Sequence, residues 1–304
     1  MQDIIIYDAL SITSKIHQVS DFIEMLGMKD VPWITFTGSH GFAYRLYYEC
    51  ISIHHCRDDG VVWLEMTGQG CRAFETYGTG DYETLFQLVQ DNPGDMKITR
   101  LDVAFDDHNG LLDIKQLCED TRNALFVSRF NEWQVIEGSK GCSVTHGSMK
   151  SEIFLRIYDK AAERGLDDGS HWIRVELQLR RDRAMQFAQE KGDIGSRFCG
   201  VLLNYVRYVE ECDDSNKWRW PLRLYWAKLV SSAASISLYV KPGTEYNMIK
   251  MTDFVFRQAG NAIDATIEVL GIDGFLRELH SRDIRPNPKY TEIVKKMKGE
   301  RASE

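Results

Sequence analysis

Three stretches of the chain alternate apolar residues with arginines, carboxylates and a tyrosine: ITRLDVAFDD at 98–107, IFLRIYDKA at 153–161 and HWIRVELQLRR at 171–181. Read as strands, they sort side chains by face, because successive residues point opposite ways. Arg100, Asp102, Ala104 and Asp106 share one face of the first, opposite Leu101, Val103 and Phe105. Arg156, Tyr158 and Lys160 share a face of the second, and Arg174, Glu176, Gln178 and Arg180 a face of the third. Aspartate is disfavoured in strands, which singles out Asp102; an ion pair with Arg100 or Arg174 is the structural alternative to a chemical role. Three such faces, if they converge, suit phosphodiester chemistry. Two carboxylates can hold Mg2+ or Mn2+, hard cations that prefer oxygen and orient a phosphate for in-line attack. Arginines such as Arg156 and Arg174 stabilise the charge that develops and grip phosphates bidentately. A tyrosine hydroxyl can be the nucleophile, giving a phosphotyrosine that retains the energy of the broken bond. Among 13 tyrosines, Tyr158 stands on an arginine-rich strand end followed directly by Asp159-Lys160. Tyr205 and Tyr239 read as core, and Tyr44, Tyr47 and Tyr48 as sheet packing.

The elements that would carry these strands are an α+β set. Residues 3–13 read as a strand and Ser14 to Leu26 as a helix, with Ile16, Phe22, Ile23 and Leu26 on one stripe. From Trp33 to Thr67 the chain is strand-rich (WITFTG, FAYRLYYECISIHH, VVWLEMTG), with Asp58-Asp59-Gly60 as a hairpin signal. Gly68 to Gln90 reads as helix broken near Gly78 and Gly80, and Asp113 to Ser128 as a further helix. WQVIEG and SVTHG read as strands. Another helix begins at Arg183, and the chain from Met251 onward is largely helical, with a break at Pro286 and Pro288. Ile98-Thr-Arg100-Leu-Asp102-Val-Ala echoes Trp172-Ile-Arg174-Val-Glu176-Leu-Gln. The echo predicts two related halves, 1–110 and 111–240, whose antiparallel sheets contribute to one site within a domain spanning 1–245. A helical region at 246–304 follows.

Composition bounds the alternatives. A net charge of −8 over 304 residues argues against a basic, non-specific nucleic-acid coat protein but leaves room for an enzyme with a local basic surface. No apolar run approaches the roughly 20 residues of a membrane helix, and the N-terminus lacks a basic signal-peptide region, so a cytoplasmic protein without membrane partners is expected. Seven scattered cysteines without CxxC spacing read as reduced, buried thiols rather than a zinc ribbon.

The ordered set LEMTGQGCRAFE, ITRLDVAFDD, FLRIYDKAAERG and WIRVELQLRR resembles the replication initiation factors of Gram-positive rolling-circle plasmids, with related relaxases in conjugative elements and phages. The resemblance covers roughly residues 1–240. It implies an α+β, rolling-circle-initiator-like nuclease domain with C-terminal helices. It also implies a sequence-specific, metal-dependent nick made by the tyrosine at Tyr158, at an origin that offers a hairpin or single-stranded nick site beside duplex. Arg156 and Arg174 are the accompanying catalytic candidates, and Asp102, Glu176 and Asp106 the metal candidates. A host helicase and a second copy of the chain are further candidate partners. The sequence departs from the widespread rolling-circle class whose metal is held by a His-hydrophobic-His motif: His54 and His55 are adjacent, hence on opposite strand faces.

DNA contacts are expected from the 216–228 segment, NKWRWPLRLYWAK, which has four basic residues, four aromatics and no acid. Cations follow phosphates there, and rings can stack unpaired bases. Lys217, Trp218, Arg219 and Arg223 are its candidates; a core helix with solvated cations is the competing reading. Arg72, Lys160, Arg180 and Arg181 complete the DNA-binding set. Two rival functions remain at this point: a nuclease in which the metal site activates water, and a non-catalytic DNA-binding regulator.

Overall fold

Alternation of apolar and polar residues sets the architecture. The computed structural model describes residues 4–56, 60–138, 141–166, 169–235 and 248–282. Twelve strands are described: β1 (Ile4–Ser14), β2 (Ile34–Thr37), β3 (Tyr44–Tyr48), β4 (Ile51–His55), β5 (Val62–Thr67), β6 (Met96–Asp107), β7 (Phe126–Ser128), β8 (Trp133–Gly138), β9 (Gly141–His146), β10 (Ile153–Asp159), β11 (Ile173–Arg180) and β12 (Val206–Tyr208). The described helices are α1 (Val19–Met25), α2 (Gly68–Tyr77), α3 (Tyr82–Asp91), α4 (Ile114–Arg122), α5 (Lys160–Glu163), α6 (Arg181–Gln189), α7 (Ile194–Tyr205), α8 (Leu224–Ser235) and α9 (Met248–Ser281).

Ten strands form one sheet in the order β2-β3-β4-β5-β1-β6-β11-β10-β9-β8, while β7 and β12 pair separately. Every pairing within the large sheet is antiparallel. The centre is the β6–β11 ladder, with Val103 opposite Leu177 and Asp106 opposite Arg174. One face is apolar: Leu10, Ile12, Leu64, Leu101, Val103, Phe105, Leu155, Ile157, Val175 and Leu177 are buried there in a core shared with Phe74, Phe86, Leu117, Phe187 and Phe198 of the helices. Each such side chain contributes about 1.5–3 kcal/mol on full burial, which fixes the strand register and leaves the polar residues on the opposite face.

Local chemistry explains where elements differ from the sequence reading. The first strand continues to Ser14, whose hydroxyl accepts the Ile16 and His17 amides at 3.2 and 3.1 Å, so α1 starts only at Val19. FAYRLYYECISIHH is two strands around a two-residue turn, because Glu49 and Cys50 both take positive φ and Tyr48 faces Ile51; this is the turn geometry that matches strand twist. The expected helix 113–128 stops at Arg122. Ala124 takes a positive φ, and Phe126–Ser128 leave to pair with β12. The 216–228 segment is not one helix: a 3-10 turn at Lys217–Arg219 is separated from α8 by Pro221, which cannot donate into a helix. The hairpin signal at Asp58-Asp59 and the break at Pro286 and Pro288 lie outside the described residues.

The chain divides into two compact units, Met1–Pro242 and Gly243–Glu304. The described part of the second is α9, which changes direction at Gly271 through a non-helical φ of 67°. No helix among the described residues is long and apolar enough to cross a membrane.

Candidate active site

The polar face of the sheet gathers the chemistry. The β6, β11 and β10 registers align Asp106, Arg174 and Tyr158 in one cross-strand row, and Ala104, Glu176 and Arg156 in the next. A third row holds Asp102 and Gln178, and a fourth holds Arg100 opposite Arg180. The three strands singled out by their alternation therefore do converge.

Tyr158 is placed by the end of β10. Asp159 caps the next turn by accepting the Ala162 amide at 2.8 Å, which stops the strand and folds Lys160 back. The Tyr158 hydroxyl donates to Glu176 Oε2 at 3.0 Å and accepts from Lys160 Nζ at 3.2 Å. The Arg156 guanidinium lies over the Tyr158 ring, 4.0 Å from its centroid, and reaches Glu176 Oε2 at 3.2 Å. Lys160 is buried and also pairs with Glu163. Burial, reinforced by the Glu176 charge and opposed by Arg174 and Arg156, pushes the Tyr158 hydroxyl well above the ordinary phenol range.

Arg174 is the structural hub. Its Nε and Nη2 donate to the two oxygens of Asp106, each at 2.7 Å, and its Nη1 donates to Asp8 Oδ2 at 2.7 Å. Asp8 was not among the sequence candidates. It is the extra residue of a β-bulge, where the β1–β6 register shifts between Tyr7 and Ala9, and bulges re-aim side chains in this way. Burial raises the Asp8 carboxyl above its ordinary range, opposed by Arg174 and reinforced by the Glu176 and Asp106 charges. Asp8 therefore sits within electrostatic reach of two of the three candidate ligands, Glu176 and Asp106. The broken alternation of DIIIYDAL was the one signal that could have found it.

Asp102 is tied to Arg100 by 2.5 and 3.0 Å contacts, the ion pair anticipated as its structural alternative. Burial raises its carboxyl, with Arg100 opposing. Asp102, Asp106 and Glu176 share the face, but they do not close into a preformed ligand set. Among the described residues, the one group of three metal-capable side chains within 4.8 Å of each other is Cys118, Glu137 and Cys142. That group joins α4 to the β8–β9 hairpin on the apolar face, since Cys142 packs against the core, and is not part of the tyrosine site.

The DNA-binding candidates fall in different places. Arg72 on α2 donates to the Tyr7 carbonyl at 2.7 Å and pairs with Glu75 at 2.5 Å, beside Asp8. Arg180 donates to Gln178 Oε1 at 3.2 Å, and Arg181 is exposed at the start of α6. Trp218 is exposed, and Arg219 is 72% exposed with a loose 3.5 Å contact to Asp214. Lys217 donates to the Ala124 carbonyl at 3.2 Å. Arg223 instead pairs at 2.8 Å with the fully buried Asp120, which also accepts from Tyr225. None of these four joins the Tyr158 row.

A family profile described as "Replication initiation factor" matches residues 96–279, more than half of the chain and all of the three strands above; the chain belongs to that family. It is 28% identical over 261 aligned residues to the protein named "Putative DNA relaxase NicK" of Bacillus subtilis (strain 168), with 79% of this chain and 74% of the relative covered. It is similar in structure to the rolling-circle replication initiator protein from Geobacillus stearothermophilus, with a TM-score of 0.71, 28% identity, and 78% of this chain and 98% of that one covered.

Proposed function

We propose that the chain is a DNA-nicking replication initiator or relaxase whose nucleophile is Tyr158. The observation that carries this reading is the Tyr158 hydroxyl held between Glu176 at 3.0 Å and Lys160 at 3.2 Å, inside the family-matched segment. In the step proposed, Tyr158 Oη attacks phosphorus while its proton passes to the Glu176 carboxylate. The P–O3′ bond breaks, the 5′-phosphate stays on the tyrosine, and the departing 3′-oxygen takes a proton from water. Lys160 and Arg156 stabilise the developing phenolate and the phosphate charge, as fixed dipoles and cations do in a site of low dielectric. Arg174 holds Asp106 and Asp8 in place. The reverse attack by a 3′-hydroxyl reseals the strand, because the phosphotyrosine conserves the bond energy.

The donor set suits a hard cation. Glu176 Oε1 has only a 3.4 Å contact to Arg156, and Asp8 binds Arg174 through Oδ2 alone. Both oxygens of Asp106, by contrast, are taken by Arg174. Asp8 and Glu176 are thus the proposed holders of Mg2+ or Mn2+, with Asp102 alongside and Asp106 as their support. When bound, such a cation polarises the scissile phosphate and neutralises charge on its oxygens. The DNA partner proposed is a hairpin or single-stranded nick site with adjacent duplex.

The test is a labelled-adduct assay with single-stranded and supercoiled DNA from the element that encodes the chain. Wild type should form a covalent protein–DNA band and Tyr158→Phe none, with DNA affinity nearly unchanged. Cleavage without an adduct would favour attack by water instead. Mn2+ bound without DNA, read by electron paramagnetic resonance, should fall in Asp8→Asn and Glu176→Gln; unchanged binding in both would remove the ligand assignment.

A further inference from the structure

The polar face does not end at Arg100 and Arg180. Ser11 lies beside Arg100, Glu65 beside Ser11, Ser52 beside Glu65 and Tyr47 beside Ser52, by direct register. The neighbouring row continues through Trp63, His54, Arg45 and Phe36. These outer strands, β2 to β5, form a wing whose surface on this face is aromatic. His54 and Trp63 stack with centroids 4.4 Å apart and planes 19° from parallel. His40 meets Trp63 edge-on at 5.5 Å, and Phe42 lies 5.9 Å from it. Arg45 spreads its guanidinium over Phe36 at 5.1 Å and Tyr47 at 5.3 Å. Phe36 remains 43% exposed and Ile34 55% exposed.

Two features distinguish this surface from ordinary sheet packing. His54 is buried, yet neither ring nitrogen has a hydrogen-bond partner among the described residues, and the same holds for Nε of Arg45. Buried polar groups are normally paired. The edge of the cluster is open: Phe36 is exposed, as is the rest of the outermost strand β2. Five strand spacings of about 4.8 Å separate β10 from β4, so the wing is roughly 24 Å from the tyrosine strand along one continuous face. Arg100 and Arg180 stand side by side between them.

We infer that the β2–β5 wing is a stacking platform for unpaired DNA bases, receiving the single strand that runs from Tyr158 past Arg100 and Arg180. The inference rests on the nicking function proposed above. The exposed Phe36 ring can accept any base at the edge of the cluster, and Arg45 supplies a cation for the backbone or for stacking. The ligand is single-stranded DNA of relaxed sequence requirement; a second copy of the chain on the same surface is the competing occupant.

The experiment uses the full chain carrying Tyr158→Phe, so that binding is read without cleavage and failure of the nucleophile assignment is scored separately in the adduct assay. Anisotropy of a labelled oligo(dT) of about 30 nucleotides, longer than one compact binding site, is measured for this background and with Phe36→Ala or Trp63→Leu added. Loss of a stacked base should weaken binding about 5- to 100-fold, with circular dichroism unchanged. Photocrosslinking of iododeoxyuridine in the oligonucleotide should label peptides containing Phe36 or Trp63. Phe36→Ala, at an exposed position, guards against misreading a folding defect in Trp63→Leu. Unchanged affinity in both variants overturns the proposal. So does light scattering that shows Phe36→Ala converting a dimer to a monomer, which would assign the surface to a second copy.

Discussion

Arg174→Met removes the hub of the site and its consequence can be sized from the contacts. The guanidinium is buried, and so is Asp106, whose two oxygens it holds at 2.7 Å. It also carries one oxygen of Asp8. Methionine keeps the volume but leaves two carboxylates without their cation. Removing one partner of a buried pair costs about 3–5 kcal/mol, because the remaining charge is uncompensated. Against a typical stability of about 5–15 kcal/mol, that is roughly a fifth or more of the total. Guanidinium unfolding of wild type and Arg174→Met should show the loss as a lower midpoint with a similar slope. Adding Asp106→Asn should recover about 1–3 kcal/mol, since the orphaned charge is then gone. A loss below about 1 kcal/mol, or no recovery in the double variant, would refute the claim that Arg174 is a structural hub.

Four further outcomes follow from other parts of the fold. His146 is buried against Tyr208, 3.1 Å from its hydroxyl, and burial lowers its imidazole to about 4. A folded-state value below the unfolded one means the unfolded chain binds the extra proton. Stability should therefore be full above about pH 6.5 and fall by about 3 kcal/mol as pH drops toward 4; pH-dependent melts of His146→Gln should lack this component. Gly70→Ala should destabilise by about 1–3 kcal/mol, because its methyl would press into the Cys50 carbonyl at the β3–β4 turn, and a melt showing no change would contradict that packing. In salt titrations of DNA binding, Lys217→Ala with Arg219→Ala should flatten the slope by up to about one unit per lost phosphate contact. Arg223→Ala should instead act on thermal stability, by about 2 kcal/mol, through the buried Asp120 it leaves behind.

What the sequence revealed depended on periodicity. Leu101, Val103 and Phe105 against Arg100, Asp102 and Asp106 could be sorted by face from alternation alone, and the same held for β10 and β11. Tyr158 was legible because it lies on an arginine-rich strand end followed directly by Asp159-Lys160; the cap that Asp159 places on the next turn appears only in the structure. Asp8 was hidden because a bulge breaks the period that the reading relied on, and nothing local announces Arg174 166 residues away. Arg223 looked like a phosphate contact in a basic, aromatic segment; only the tertiary fold brings Asp120 to it. The two-halves echo has a geometric counterpart. In the central ladder Val103 faces Leu177, and Arg100 precedes the one by three residues as Arg174 precedes the other. The two stretches are nonetheless paired differently, since β10 pairs directly with β11, whereas β1 lies between β5 and β6.

The proposed reaction joins Tyr158 to DNA. The direct measurement is mass spectrometry of the protease-digested covalent adduct, formed with Mg2+ or Mn2+ on single-stranded DNA from the encoding element. A nucleotide mass should appear on the peptide containing Tyr158 and be absent in Tyr158→Phe. A nucleotide mapped to another tyrosine, or efficient nicking with no modified peptide, would contradict it.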